Sequence, residues 1–170
     1  MDLQYCLGQL SINAIAIQRL LEGVSDMQAK WRPAEKEWSL LEVINHLVDE
    51  EKEDFRFRLD HLFSSQTNPW PANAPEKWVC ERHYNRRDLQ ESIENYMDER
   101  RKSLEWLKGQ IHGDFSLQYV FPPLAGLSAG DLLASWVAHD LLHLRQMVEL
   151  KWEYSTVQTQ PFTNEYAGDW

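Results

Sequence analysis

The sequence predicts an all-α protein built as a four-helix bundle with long loops between the helices. Three observations support this fold class. Four segments repeat apolar residues at helical spacing, capping and stop residues bound them, and no two alternating segments offer the strands of a sheet. The length of 170 residues suffices for about one domain. We expect the bundle to occupy residues 1–151 and the tail, residues 152–170, to pack on it.

The first helix is predicted for residues 2–22, and Gly23 follows as a stop signal. Its apolar residues recur at steps of three or four and share one face: Leu3, Leu7, Leu10, Ala14, Ile17 and Leu21. The second helix is predicted for residues 39–63. It begins with Ser39 and Glu42, whose spacing forms a capping box that satisfies two free backbone amides.

The third helix is predicted for residues 88–109, with Asp88 as its cap and Gly109 at its end. Arg100 lies on its apolar face. The fourth helix is predicted for residues 129–151. Its apolar side is Leu132, Leu133, Trp136, Val137, Leu144, Met147 and Val148.

The three connections differ in length and character. Residues 23–38 and 110–128 are short enough to join antiparallel neighbours, which predicts an up-down-up-down arrangement with room for crossovers. Apolar residues alternate over residues 115–121, as in a short strand, but the sequence offers that strand no partner. Residues 64–87 are rich in Pro and Trp and predict a long, ordered loop or a partly extended segment.

Charge and composition limit the partners. Seventeen Lys and Arg against 27 Asp and Glu give a net charge of −10. Such a surface, with no basic stripe, repels phosphate, so we expect neither nucleic acid nor a membrane as a partner.

No apolar run reaches the roughly 18 residues of a membrane helix, and no signal peptide is visible, so the expected location is the cytoplasm. The two cysteines, Cys6 and Cys80, need no bridge.

Two histidines in the fourth helix are the strongest local signal for chemistry. His139 and His143 are four residues apart, so they project from one face and their rings can converge on a cation. Their phase places them at the edge of the apolar side, next to Trp136 and Gln146. Two surface histidines on an amphipathic helix are the alternative interpretation.

A third ligand has to come from another helix, and His46 is the best candidate. It lies on the flank of the apolar stripe, where it either meets a neighbouring helix or faces solvent. Glu50 is one turn further on and could act as a fourth ligand, an acceptor that orients His46, or a general base. A solvated carboxylate is the alternative.

Two segments carrying these histidines resemble motifs of the DinB-like superfamily (DinB/YfiT type), a group of bacterial metal-binding four-helix bundles. One is Trp38-Ser-Leu-Leu-Glu-Val-Ile-Asn-His46-Leu, and the other is His139-Asp-Leu-Leu-His143-Leu-Arg-Gln146. The resemblance covers about residues 2–150. It implies one divalent metal ion, zinc or nickel, held by His46, His139 and His143, and it implies a homodimer.

The resemblance leaves the reaction open. Relatives include S-transferases that use a low-molecular-weight thiol (bacillithiol or mycothiol), a maleylpyruvate isomerase and proteins proposed as metal-dependent hydrolases. We therefore predict a transferase or hydrolase acting on a small molecule, in a pocket with Trp70, Trp78, Trp136 and Gln146 as candidate walls. The alternatives are a bundle that binds a small molecule or a protein without catalysis, and a nucleophilic Cys80 beside Arg82 and His83.

Overall fold

The fold is all-α in a computed structural model that describes residues 2–64, 68–71 and 74–168. The helices are α1 (Leu3–Leu21), α2 (Asp26–Lys30), α3 (Leu40–Asp49), α4 (Arg56–Phe63), α5 (Pro75–Glu81), α6 (Leu89–Gly109) and α7 (Ala129–Gln158). A π-helical turn, Glu50–Phe55, joins α3 to α4 without interruption. Within the described ranges the only β-pairing is an isolated antiparallel bridge between Gln118 and Ser128. The predicted fold class is confirmed: the bundle helices are α1, the α3–α4 rod, α6 and α7.

The fourth helix is longer than the sequence pattern indicates. The prediction that it ends at residue 151 is wrong, because α7 continues to Gln158. The extension is held by an aromatic contact, since the Tyr154 ring lies 5.4 Å from the ring of Trp31 in the first connection. Beyond α7, Phe162 and Tyr166 are exposed. The packing of the remaining tail on the bundle stays a prediction.

Neighbouring helices in the bundle are not consecutive in the chain. α1 packs against α6 and α7, and the α3–α4 rod packs against the same two helices, so α1 faces the rod across the diagonal. α7 runs parallel to α1, because their first halves share one apolar cluster and Lys151 donates to the Leu20 carbonyl at their other ends. The prediction that the first and third connections join neighbours is therefore wrong: each joins antiparallel helices that lie diagonally.

The second connection returns the chain along the length of the bundle. The α3–α4 rod and α6 are parallel neighbours, because Asn45 bonds Ser92 near the start of both and Trp106 bonds Asp60 near their ends. Parallel neighbours need a crossover, and the second connection supplies it; its described residues include α5 and a 3₁₀ turn, Tyr84–Arg86. The prediction of a loop or an extended segment is therefore wrong over α5, which the sequence pattern did not indicate. The crossover is fastened to the rod by Arg82, which lies 2.6 Å from Asp49 and 2.8 Å from Glu53.

The bundle core consists of two apolar clusters with a polar layer between them. One cluster holds the second half of α1 with α3, and the other holds the first half of α1 with α4. Arg100 lies between them, 1 % exposed, and contacts Glu51 at 2.6 Å and Asp140 at 2.7 Å. This layer fixes the relative positions of the π turn, α6 and α7.

The N-terminus of α3 offers a test of local stability. Ser39 accepts from the Glu42 amide, while the Glu42 carboxylate accepts from the Ser39 amide and from Arg32. Replacing Ser39 with alanine should lower the free energy of unfolding by about 1–2 kcal/mol, because the buried capping box loses its acceptor. Urea denaturation measures the change. Ser155→Ala, at an exposed position of α7, is the matched control and should stay within about 0.5 kcal/mol of wild type; equal effects would contradict the capping role.

Candidate metal centre

Two imidazoles of α7 face each other at the polar layer of the bundle. The Nε2 atoms of His139 and His143 lie 3.1 Å apart. His143 Nδ1 lies 2.8 Å from Gln146 Oε1, which accepts its proton. This hydrogen bond selects the tautomer of His143 whose Nε2 lone pair points at His139, as is usual for a histidine that ligates a metal.

His46 of α3 completes the cluster. Its ring centroid lies 5.4 Å from that of His139 and 4.8 Å from that of His143. One ligand atom from each of the three residues lies within 4.8 Å of the other two. The sequence left open whether His46 faces solvent; it does not, being 5 % exposed. All ten residues of α3 are buried, because the first connection and the crossover cover the flank that a bundle alone leaves open.

Burial keeps these imidazoles neutral. Desolvation, then the neighbouring His143 and His139, lower the pKa of His46 to about 2. Desolvation also lowers the pKa of His139 to about 3 and lowers the pKa of His143. Metal ligation requires neutral imidazole. Three neutral imidazoles, with one ligand atom of each within 4.8 Å of the others, fit a divalent ion such as zinc or nickel. Among the described residues, the buried His46 Nδ1 has no hydrogen-bond partner.

Glu50 lies beside His46 in the π turn. Its Oε1 is 4.0 Å from His46 Nδ1, and this buried oxygen has no hydrogen-bond partner in the part of the chain that the structure describes. Burial, followed by the charge of Asp54, raises the pKa of Glu50 to about 8. The π turn explains this position, since the one-residue widening of the helix turns Glu50, Glu51, Asp54 and Phe55 inward. Sequence periodicity predicted a regular helix here and gave no signal for the π turn.

A buried network of ion pairs lies next to the histidine cluster. Glu51 and Asp140 directly follow Glu50 and His139, and both bind Arg100. Arg100 also donates to the Leu10 carbonyl at 2.7 Å. The sequence patterns did not predict this network, although an arginine on the apolar face of the third helix was a signal for it, because such a charge has to be paired when buried.

The predicted pocket residues separate into three places. Gln146 lines a cavity of about 500 Å³ together with His143 and Trp38. Trp70 and Trp78 line a different cavity, of about 390 Å³, beside Arg58. Trp136 lies in the core, 1 % exposed, and donates to Glu51 at 2.7 Å. Trp38, whose ring centroid also lies 5.0 Å from that of His46, is a pocket residue that the sequence patterns did not predict.

The other three histidines and the two cysteines do not belong to the three-histidine cluster found among the described residues. His61 is buried and lies 2.9 Å from the Asn68 carbonyl, while His83 and His112 are exposed. Cys6 is buried and Cys80 is exposed, and neither forms a disulfide in the described part of the chain.

Fold and site together define a class of protein: a four-helix bundle whose middle layer brings three histidines together, one of them buried and two partly buried. The sequence profile of the DinB superfamily matches residues 9–147, and the chain belongs to this superfamily. Its fold is similar to that of YfiT from Bacillus subtilis, described as a probable metal-dependent hydrolase with an unusual four-helix bundle topology. The TM-score is 0.80 at 15 % identity, covering 91 % of this chain and 88 % of YfiT. No curated protein sequence is significantly similar to this chain.

These comparisons confirm the family and the fold. The metal ligands, the cytoplasmic location and the homodimer stay predictions. None of the helices in the described ranges combines the length and the apolar composition that crossing a membrane requires.

The hydrogen bond from His143 to Gln146 predicts a change in metal affinity. Gln146→Leu should weaken zinc binding by about 10–100-fold, because the ligand loses the acceptor that fixes its tautomer. Gln146→Glu retains an acceptor and should stay closer to wild type. Competition with a chromophoric chelator measures the affinity. Gln158→Leu, at the exposed end of α7, is the control; an equal loss in that variant would contradict the role of Gln146.

Proposed function

We propose that the protein is a metal-dependent hydrolase of small molecules that holds one zinc or nickel ion through His46, His139 and His143. The observation that carries this proposal is the convergence of three neutral imidazoles, one buried and two partly buried, with one ligand atom of each within 4.8 Å of the others. His143 also lines a cavity of about 500 Å³, a volume typical of small-molecule sites. The description of YfiT as a probable metal-dependent hydrolase supports the same reaction class.

The residues of this chain have distinct roles in such a site. A bound divalent ion supplies Lewis acidity, which lowers the pKa of water and polarises a carbonyl. His143 presents this centre to the cavity, and Gln146 holds the orientation of its ring. Trp38 packs on His46 and Phe55 packs 5.1 Å from His139, so apolar rings keep water from the buried side of the cluster.

We assign Glu50 as a positioning residue. Its buried carboxyl group lies opposite His46 Nδ1, where it can accept the proton of that nitrogen and leave the other ring nitrogen free for a metal. Glu50→Gln keeps an acceptor and should retain most metal affinity, whereas Glu50→Leu should lose about 10–100-fold. A general base would behave differently: both variants would bind metal normally and lose turnover equally.

One set of activity assays distinguishes hydrolysis from thiol transfer. Metal-free, zinc-loaded and nickel-loaded protein are assayed on a panel of esters and amides, and on an electrophile with an added thiol. Ester or amide cleavage that needs the metal and disappears in His139→Ala/His143→Ala supports the proposal. His83→Ala/His112→Ala removes two exposed histidines and should leave activity unchanged. Metal-dependent thiol transfer without hydrolysis, or no metal-dependent turnover, contradicts it.

A further inference from the structure

The cavity beside His143 carries an unbalanced negative charge. Three carboxylates line it, Glu37, Glu149 and Glu153, together with one cation, Lys36. Glu37 comes from the first connection, and Glu149 and Glu153 lie one turn apart on α7. The walls therefore contribute more negative than positive charge next to the histidine cluster.

Other acids near the site form ion pairs, whereas these three carboxylates have no ion-pair partner among the described residues. Glu51 and Asp140 pair with Arg100, and Asp49 pairs with Arg82. Across the described residues, neither Glu149 nor Glu153 forms an ion pair within 4.0 Å, and Glu37 and Lys36 form none either. Desolvation, followed by the charges of Glu37 and Glu149, raises the pKa of Glu153, so the three carboxylates repel one another.

The other walls suit an organic cation. Trp38 offers an indole ring, and Pro33 and Leu150 add apolar surface. An ammonium or guanidinium group is attracted both by unpaired carboxylates and by the face of an indole ring. An anionic group would meet repulsion from the same carboxylates.

We propose that this cavity selects substrates that carry a positively charged ammonium or guanidinium group, placed next to the bond that the metal centre attacks. This inference rests on the proposed function, since the histidine cluster is the second feature that points to a ligand here. It narrows the substrate class from small molecules in general to organic cations.

Two thiols of opposite charge test the proposal without turnover. Thiocholine and 2-mercaptoethanesulfonate share a two-carbon spacer and a thiol that binds cobalt, and they differ in the charge at the other end. Each is titrated into cobalt-loaded protein, and the thiolate-to-cobalt absorption band gives its affinity. The ratio of the two affinities should be on the order of tenfold higher for wild type than for Glu149→Gln/Glu153→Gln, because two nearby charges are removed.

The control and the outcomes separate this inference from the proposed function. Glu81→Gln/Glu94→Gln removes two exposed carboxylates elsewhere and should keep the wild-type ratio. Higher salt should reduce the preference for thiocholine, since screening weakens surface charge effects. Cobalt loading with an unchanged ratio in the cavity variant overturns this inference alone. Failure to load cobalt overturns the metal site and, with it, the inference.

Discussion

Replacing Arg100 with methionine should lower the free energy of unfolding by about 3–5 kcal/mol, the largest effect we expect from a single substitution. Arg100 is 1 % exposed. It neutralises Glu51 and Asp140, both buried, and satisfies the Leu10 carbonyl. Methionine fills a similar volume, so the cost comes mainly from two carboxylates left unpaired inside the bundle.

Urea denaturation followed by far-ultraviolet circular dichroism measures this change. The matched control is Arg101→Met: Arg101 is the next residue and pairs with Asp98 at the surface at 2.5 Å, so its replacement should lower stability far less than Arg100→Met does. Combining Arg100→Met with Glu51→Gln and Asp140→Asn should recover part of the loss, because the unpaired charges are then gone. Equal losses for Arg100→Met and Arg101→Met would contradict the central role of the network.

Zinc should stabilise the protein by about 4 kcal/mol when its free concentration is a thousand times the dissociation constant, because it binds the folded state through a preformed cluster. For a chain of this size that corresponds to a rise in Tm of about 8–16 °C. The ligands come from α3 and α7, so bound metal ties two helices that lie far apart in the sequence.

Thermal denaturation with and without zinc measures this stabilisation. In His139→Ala/His143→Ala the zinc-dependent rise should disappear, since one remaining imidazole cannot hold the ion. His83→Ala/His112→Ala, which removes exposed histidines, should show the full rise. An undiminished rise in the first variant would mean that zinc binds elsewhere, and would contradict the assignment of the cluster.

Local sequence patterns were sufficient to predict the four bundle helices, and they were insufficient for the topology. The steps from Leu3 to Leu21 predict a helix that the structure ends at Leu21. Helical periodicity carries no information about which helices are neighbours, so the diagonal placement of consecutive helices was not predictable. The crossover between α4 and α6 allows those helices to be parallel neighbours. Its contacts with the rod, from Arg82 to Asp49 and Glu53, join residues about 30 positions apart in the sequence.

In the candidate site, too, local patterns predict what happens within one helix but not what depends on tertiary packing. The spacing of His139 and His143 predicts convergence within one helix, and the structure places their Nε2 atoms 3.1 Å apart. His46 was the best candidate for a third ligand, but a helical wheel places it on a flank and left a solvent-facing position open, and the family resemblance favoured the ligand role. The wheel could not show that other segments cover this flank, nor that a π turn directs Glu50 inward, since both depend on tertiary packing.

The most direct test of the metal centre is the metal content of tag-free protein, measured by mass spectrometry after incubation with zinc or nickel and removal of free ions. We expect about one equivalent per chain in wild type, and loss of that metal in both His46→Ala and His139→Ala/His143→Ala. His83→Ala/His112→Ala should retain it. No bound metal in wild type, or unchanged metal in the cluster variants, would contradict a metal centre formed by His46, His139 and His143.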